Sequence, residues 1–198
     1  MLEQRIQQQF FDSADLKYRA AEALSAAVAS AAGAVTGCLT SAGKVLCAGL
    51  GPSAMLAEQS ARYLVGGYER PRPPLAALAL GMDAGLQGTL AARSGQAPAL
   101  ATQVQALGSP GDVLMVFAGT DEDEGMRAVV AAAHEKEMTV IAFTSRHGGA
   151  LAAQLSETDV LLAVPHESAA RVREIHLLLL HCLCDTVDAQ LLGETDPP

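Results

Sequence analysis

The chain has 198 residues, half of them hydrophobic but only 4% aromatic, with no tryptophan and a formal net charge of −9. That length suits one domain whose core is built from Ala, Leu and Val. The acidic balance argues against a direct nucleic-acid-binding surface and leaves room for a basic protein partner. The first residues lack the apolar stretch of a signal peptide, and no run of about 18 apolar residues predicts a membrane span, so the expectation is a cytoplasmic protein. Cys38, Cys47, Cys182 and Cys184 have no metal-ligand pairing of the C-x-x-C type and read as buried free thiols.

Apolar residues recur at spacings of three and four over 2–32, which predicts a long amphipathic helix. A second helical piece is expected over 34–40, ending at Ser41-Ala42-Gly43. Five short apolar runs follow, at 45–48, 75–80, 113–118, 139–144 and 160–164. They have the unbroken apolar character of strands covered on both faces. Helical patterns at 53–65, 86–107, 122–137 and 150–155 separate them. Arg70-Pro71-Arg72-Pro73-Pro74 reads as a stiff, basic entry into the second strand, and 81–95 is the least regular connection. The last helix, over 167–192, is apolar on all sides around Leu177-Leu178-Leu179-Leu180, more than a one-faced surface helix requires. Together these predict a doubly wound, three-layer α/β/α domain with a five-stranded parallel sheet. The segments are a helical 1–42, a sheet with crossover helices over 43–166, an interface helix over 167–192 and a tail over 193–198. Both long terminal helices are expected at subunit interfaces.

The stretch Lys44-Val45-Leu46-Cys47-Ala48-Gly49-Leu50-Gly51-Pro52-Ser53 reads as strand, glycine-rich turn and helix start, where open α/β sheets place their ligands. Gly49 and Gly51 permit a tight turn, and Ser53 is positioned to cap the helix and offer its hydroxyl to an anion. An ordinary strand-to-helix turn whose glycines serve geometry alone reads the same way.

The order of elements, with Gly43-Lys44-Val45-Leu46-Cys47, Gly111-Asp112-Val113-Leu114, Thr139-Val140-Ile141-Ala142-Phe143-Thr144 and His147-Gly148-Gly149, resembles the sugar isomerase (SIS) fold of the phosphoheptose isomerases. The strings Ser168-Ala169-Ala170-Arg171-Val172-Arg173-Glu174-Ile175-His176 and Cys182-Leu183-Cys184-Asp185 look more like their relative, the DnaA initiator-associating protein DiaA. The resemblance covers nearly the whole chain and implies a single SIS domain in a homotetramer or dimer.

It also implies a phosphosugar cleft. There the chain keeps Gly49, Gly51 and Ser53, but Leu50 stands for an Asn and Pro52 removes an N–H. Of the family's second phosphate loop only the Thr120 hydroxyl is kept, among Asp121, Glu122, Asp123 and Glu124. Carboxylates at that place repel a phosphate dianion, although acids also suit a helix N-terminus. The isomerases' acid–base and zinc set falls on Gln59, Tyr63, Arg173 and His181, and only His181 matches. No cofactor is therefore expected, and Asp185, one turn on, is a candidate partner for His181. An Asn-Asp pair of the family falls on Ala92 and Arg93.

On these residues the resemblance implies a non-catalytic, DiaA-like scaffold that binds the replication initiator DnaA and regulates initiation. Leu191 and Leu192 are candidate partner contacts, or simple helix packing. The alternative is a phosphoheptose isomerase acting on sedoheptulose 7-phosphate, with Glu58 or His181 as base and Arg62 or Arg93 as phosphate clamp. A sensor that binds a sugar phosphate without turnover is the third reading.

Overall fold

The structure, a computed structural model, describes residues 1–94, 96–119, 124–146 and 148–193. Helix α1 (Leu2–Thr40) is one unbroken rod, on the order of 58 Å long at 1.5 Å per residue. Its buried stripe runs Leu16, Ala20, Leu24, Val28, Ala31, Ala32, Val35 and Cys38, a 3–4 spacing that continues straight through Gly33. The expected division into two helical pieces is therefore corrected. A side chain at Gly33 or Gly37 would meet nothing within 4 Å, so no close approach imposes a break, and burial on either side exceeds the modest cost of a mid-helix glycine. The helix stops where the sequence places its stop. The Gly43 N–H donates to the Cys38 carbonyl at 2.9 Å, with Ala42 at φ +62°, a left-handed C-terminal cap filled by a residue other than glycine.

Strands β1 (Val45–Gly49), β2 (Ala77–Ala79), β3 (Val113–Phe117), β4 (Thr139–Thr144) and β5 (Val160–Ala163) form one parallel sheet in the order β2-β1-β3-β4-β5. The pleat divides each central strand between two cores. Cys47, Met115, Phe117, Ile141 and Phe143 face the layer of α1, α2 (Ala54–Gly66) and α7 (Ala169–Leu192). Leu46, Ala48, Leu114, Val116, Val140 and Ala142 face the layer of α4 (Gln96–Leu107), α5 (Glu124–Glu135) and α6 (Gly149–Ala152). This two-sided burial is why the strand sequences are continuously apolar. The second strand is shorter than its sequence suggests, because it is an edge paired only with β1 over three residues. The helical pattern over 86–107 is two elements, α3 (Ala84–Ser94) and α4.

Buried polar groups clamp the layers. Asp112 accepts from the Lys44 N–H (2.9 Å), the Lys44 Nζ (2.5 Å) and the Ser109 N–H (2.9 Å), tying the starts of β1 and β3 together. The basic stretch before β2 turns inward. Arg72 Nε donates to Asp188 Oδ1 on α7 at 2.5 Å, and its terminal nitrogens donate to the Tyr63 and Leu64 carbonyls, both at 2.7 Å. Both side chains of this ion pair are at most 2% exposed. Arg72 thus adds a second donor to two carbonyls in the last turn of α2, which also accept from the Gly67 and Leu75 N–H groups, at a helix end where the dipole favours a cation.

Helices α1 and α7 have the length and apolar composition of membrane-crossing segments. In this fold, however, their apolar faces pack on each other and on the sheet. The first three turns of α1 leave Leu2, Ile6, Phe10 and Phe11 exposed.

Candidate functional site

With strand order β2-β1-β3-β4-β5 the chain reverses direction across the sheet between β1 and β3, and a crevice opens beyond the carboxyl ends of those strands. Gly49, Gly51 and Ser53 meet there, as expected. The glycines earn their places by geometry: a Cβ on Gly49 would sit 2.5 Å from the Ser53 carbonyl oxygen, and Gly51 has φ +52°. Residues Gly51–Ser53 form one 3₁₀ turn leading into α2. Ser53 does not cap α2 with its side chain. Its hydroxyl lies instead over Gly119, just past β3, where an added methyl group would be 3.2 Å from Ser53 Oγ and 3.6 Å from Arg173 Nη1. A buried hydroxyl and a guanidinium therefore converge at the switch point. Thr120, the acids Asp121, Glu122 and Asp123, and the Glu124 side chain lie outside the described residues.

On the opposite side of the turn a cavity of about 190 Å³ is lined by Leu50, Leu80, Met82 and Leu100 with Gln87. Gln87 is held by Gln103, whose amide nitrogen donates to Gln87 Oε1 at 2.9 Å and whose oxygen accepts from the Gly81 N–H at 3.1 Å. Leu50, standing where the family carries Asn, makes this wall apolar.

Farther along α2 and α7 lies a second group. Tyr63 Oη is 3.1 Å from His181 Nε2, Tyr68 stacks on the His181 ring with centroids 5.5 Å apart, and Tyr63 meets Tyr68 edge-on. Desolvation and the neighbouring Glu69 push the Tyr68 phenol up to about 12. The suggested partner of His181, Asp185, is replaced by Tyr63. Eight residues separate Arg173 from His181 on α7, a rise of about 12 Å, so the two groups occupy different levels of one helix–helix seam.

Other suggested groups stand elsewhere. Glu58 and Arg62 pair with each other one turn apart on α2. Arg93 is exposed in the last turn of α3. Leu191 packs against the core of its own chain, while Leu192 is 48% exposed. The sequence reading did not find Arg173 as a crevice cation, having placed it only as a lost ligand. Its signal was a charged residue at a position where the family carries an amide.

Zinc, which the resemblance to the isomerases implies, does not fit the residues present. A guanidinium offers donors only, the Tyr63 hydroxyl and His181 Nε2 face each other, and no three His, Cys, Asp or Glu side chains converge among the described residues. Between the two groups His176 is fully buried. Its Nε2–H donates to the Thr144 carbonyl at 3.0 Å, and its Nδ1 has no hydrogen-bond partner. Burial holds this imidazole down to about 4.

Comparison with known proteins gives this geometry its family. Residues 9–145 match the SIS domain. A phosphoheptose isomerase of Methylibium petroleiphilum is 54% identical over 196 residues, spanning 99% of this chain and 98% of that protein. One of Aromatoleum aromaticum is 44% identical, spanning 97% of both. The solved phosphoheptose isomerase GmhA from Neisseria gonorrhoeae superposes with a TM-score of 0.90 at 38% identity, over 96% of this chain and all of that one. A Francisella tularensis phosphoheptose isomerase superposes with a TM-score of 0.91 at 37% identity, over 95% and 98%. These relatives, alike over their full length, overturn the expectation of a non-catalytic, initiator-binding scaffold closest to DiaA. The strings that suggested it lie on α7, where core packing and the Arg72–Asp188 pair constrain the sequence whatever the protein does. The chain belongs to the SIS-domain family, and its relatives there are named phosphoheptose isomerases.

Proposed function

We propose that this chain is a cytoplasmic phosphoheptose isomerase acting on sedoheptulose 7-phosphate. The observation that carries the reading is full-length likeness, at up to 54% identity, to proteins bearing that name. Two features of the chain support it: a buried hydroxyl at the sheet's switch point, and the family's histidine held against a phenol. Aldose–ketose isomerisation moves a proton between adjacent carbons and requires a base and a hydrogen-bond donor near the carbonyl. His181 supplies the base, and Tyr63, at 3.1 Å, orients its ring and shares the proton. In a seven-carbon ketose phosphate the reacting carbons lie at the end away from the phosphate, which suits two groups set at different levels of the seam. The exposed Leu2, Ile6, Phe10 and Phe11 of α1 form an apolar stripe for a second copy of the chain.

One observation favours a second reading, ligand binding without turnover: Tyr63 occupies the position of a family carboxylate. Incubation with sedoheptulose 7-phosphate in deuterium oxide separates the two. Isomerisation incorporates solvent deuterium at the carbon that receives the proton, and His181→Asn abolishes it. Calorimetric binding with neither deuterium incorporation nor an aldose product establishes the sensor instead.

A further inference from the structure

A zinc ion bound by protein takes at least three ligands from Cys, His, Asp and Glu side chains. Around His181 the α2–α7 seam supplies phenols instead. Tyr63 Oη stands 3.1 Å from Nε2, and Tyr68 covers one face of the imidazole, with ring centroids 5.5 Å apart and planes 28° from parallel. Tyr63 also meets that ring edge-on, at a centroid distance of 5.6 Å. Farther along α7, Cys184 is buried in the core and Asp185 is exposed, and neither joins His181 in a set of three such side chains among the described residues. About two turns before His181, Arg173 brings a permanent positive charge and donors only, which opposes a dication. Gln59, one turn before Tyr63 on α2, ends in an amide, outside the usual donors of zinc. His181 is thus a single ligand whose Nε2 already has a partner.

We infer that this chain is a metal-independent member of its family, in which the Tyr63 hydroxyl stands in for zinc as the partner of His181. The inference concerns the site of the isomerase reading and goes beyond it, since it holds whether or not that site turns a substrate over. Three positions close the site to metal: an amide at Gln59, a phenol at Tyr63 and a guanidinium at Arg173. The hydrogen bond from α2 fixes the direction of the imidazole, and the stacked Tyr68 fixes its plane. Such a pair orients the ring without adding charge to it. Polarisation of a sugar carbonyl then falls to hydrogen-bond donors of the chain itself.

The test is calorimetric titration with zinc of the wild type, of His181→Asn, and of a triple variant combining Gln59→His, Tyr63→Glu and Arg173→Gln, its fold checked by circular dichroism. The wild type and His181→Asn are expected to give the same isotherm, and the wild-type melting temperature should be unmoved by zinc or by a chelator. The triple variant gathers two imidazoles and a carboxylate. It should take up one zinc per chain, more tightly than the wild type by about a hundredfold or more. Zinc bound by the wild type and lost in His181→Asn overturns the inference, and that measurement leaves the wild-type seam intact. A folded triple variant that binds no better than the wild type overturns the assignment to these three positions. Assays of sedoheptulose 7-phosphate with a chelator separate this inference from the isomerase reading. Isomerisation that survives the chelator sustains both. Isomerisation abolished by the chelator and restored by zinc removes this inference and leaves the isomerase reading standing. No isomerisation, with matching wild-type and His181→Asn isotherms, sustains the inference and removes the isomerase reading.

Discussion

The seam between α2 and α7 is built differently at its two ends. At the carboxyl end of α2, polar groups are matched: Arg72 to Asp188 and two carbonyls, and Tyr63 to His181. At the amino end, Ser53 and Arg173 converge on Gly119 and find no partner among the described residues. Both ends place polar atoms in one helix–helix contact, and even the matched end leaves one of them, Asp188 Oδ2, buried without a hydrogen bond. The matched groups hold α2 against α7, whereas Ser53 and Arg173 face the glycine just past β3. This contrast distinguishes scaffold from site more sharply than the presence of charge alone.

The matched end breaks most readily at Arg72. Arg72→Ala leaves Asp188 charged and buried without its cation, and is expected to lower stability by about 3–5 kcal/mol in urea denaturation. Replacing both partners, Arg72→Met with Asp188→Leu, should recover most of that loss, because the pair's desolvation disappears with it. A double variant as unstable as the single one would show that the pair's role is specific geometry.

His176, on α7 but turned to the sheet at Phe117, Phe143 and Thr144, adds a pH dependence. Its imidazole titrates near 4 in the fold because burial opposes its charge, with Arg173 adding to the effect and the bond to Thr144 opposing it, against about 6.5 in an unfolded chain. Between these values the unfolded chain binds the extra proton. Stability is therefore fully present above about 6.5 and is lost as pH falls toward 4, by roughly 3 kcal/mol in all. Denaturation midpoints measured across that window should slope, and His176→Gln should flatten the slope. Below about 4.5 Glu174 takes over. Its carboxyl is held at about 2 by the Ser13 hydroxyl first, with Arg171 and Lys17 assisting against the cost of burial, so its contribution is lost as pH falls from 4.5 to about 2.

A smaller effect belongs to Tyr63. Tyr63→Phe keeps the ring contacts with Tyr68 and His181 and removes one half-buried hydrogen bond, costing about 1 kcal/mol of stability. If Tyr63 shares the proton of His181, kcat falls further than stability explains while KM holds. Smallest is a change remote from the seam. Ala42→Gly relieves the left-handed cap of α1 and should raise stability by about 0.5–1 kcal/mol, read as a small increase in melting temperature.

The architecture was legible because strands covered on both faces are written as unbroken apolar runs. All five strands were found, and the 139–144 run matches β4 residue for residue. Gly33 misled the reading of α1, since local propensity cannot see Ala31, Ala32 and Val35 packing around it. The second strand was overextended because an edge with one neighbour is set by its partner, here three residues of β1. In the site, the turn at Gly49 and Gly51 was readable from its neighbours in sequence. Arg173 was not, because it meets Ser53 across 120 residues. The Glu58–Arg62 pair, by contrast, was readable in principle from its four-residue spacing. The initiator-binding reading failed for a related reason: likeness along one buried helix reported packing.

Because α1 precedes the sheet and α7 follows it, the stripe from Leu16 to Val35 has its main helical partner more than 120 residues later in the chain. During synthesis at about 5–20 residues per second, α1 leaves the ribosome with its apolar side bare and stays so for on the order of ten seconds or more. For that interval the nascent chain presents a long amphipathic rod of the kind that holding chaperones cover. A chain interrupted before α7 would keep that side uncovered permanently, making premature termination an aggregation hazard as well as a loss of activity.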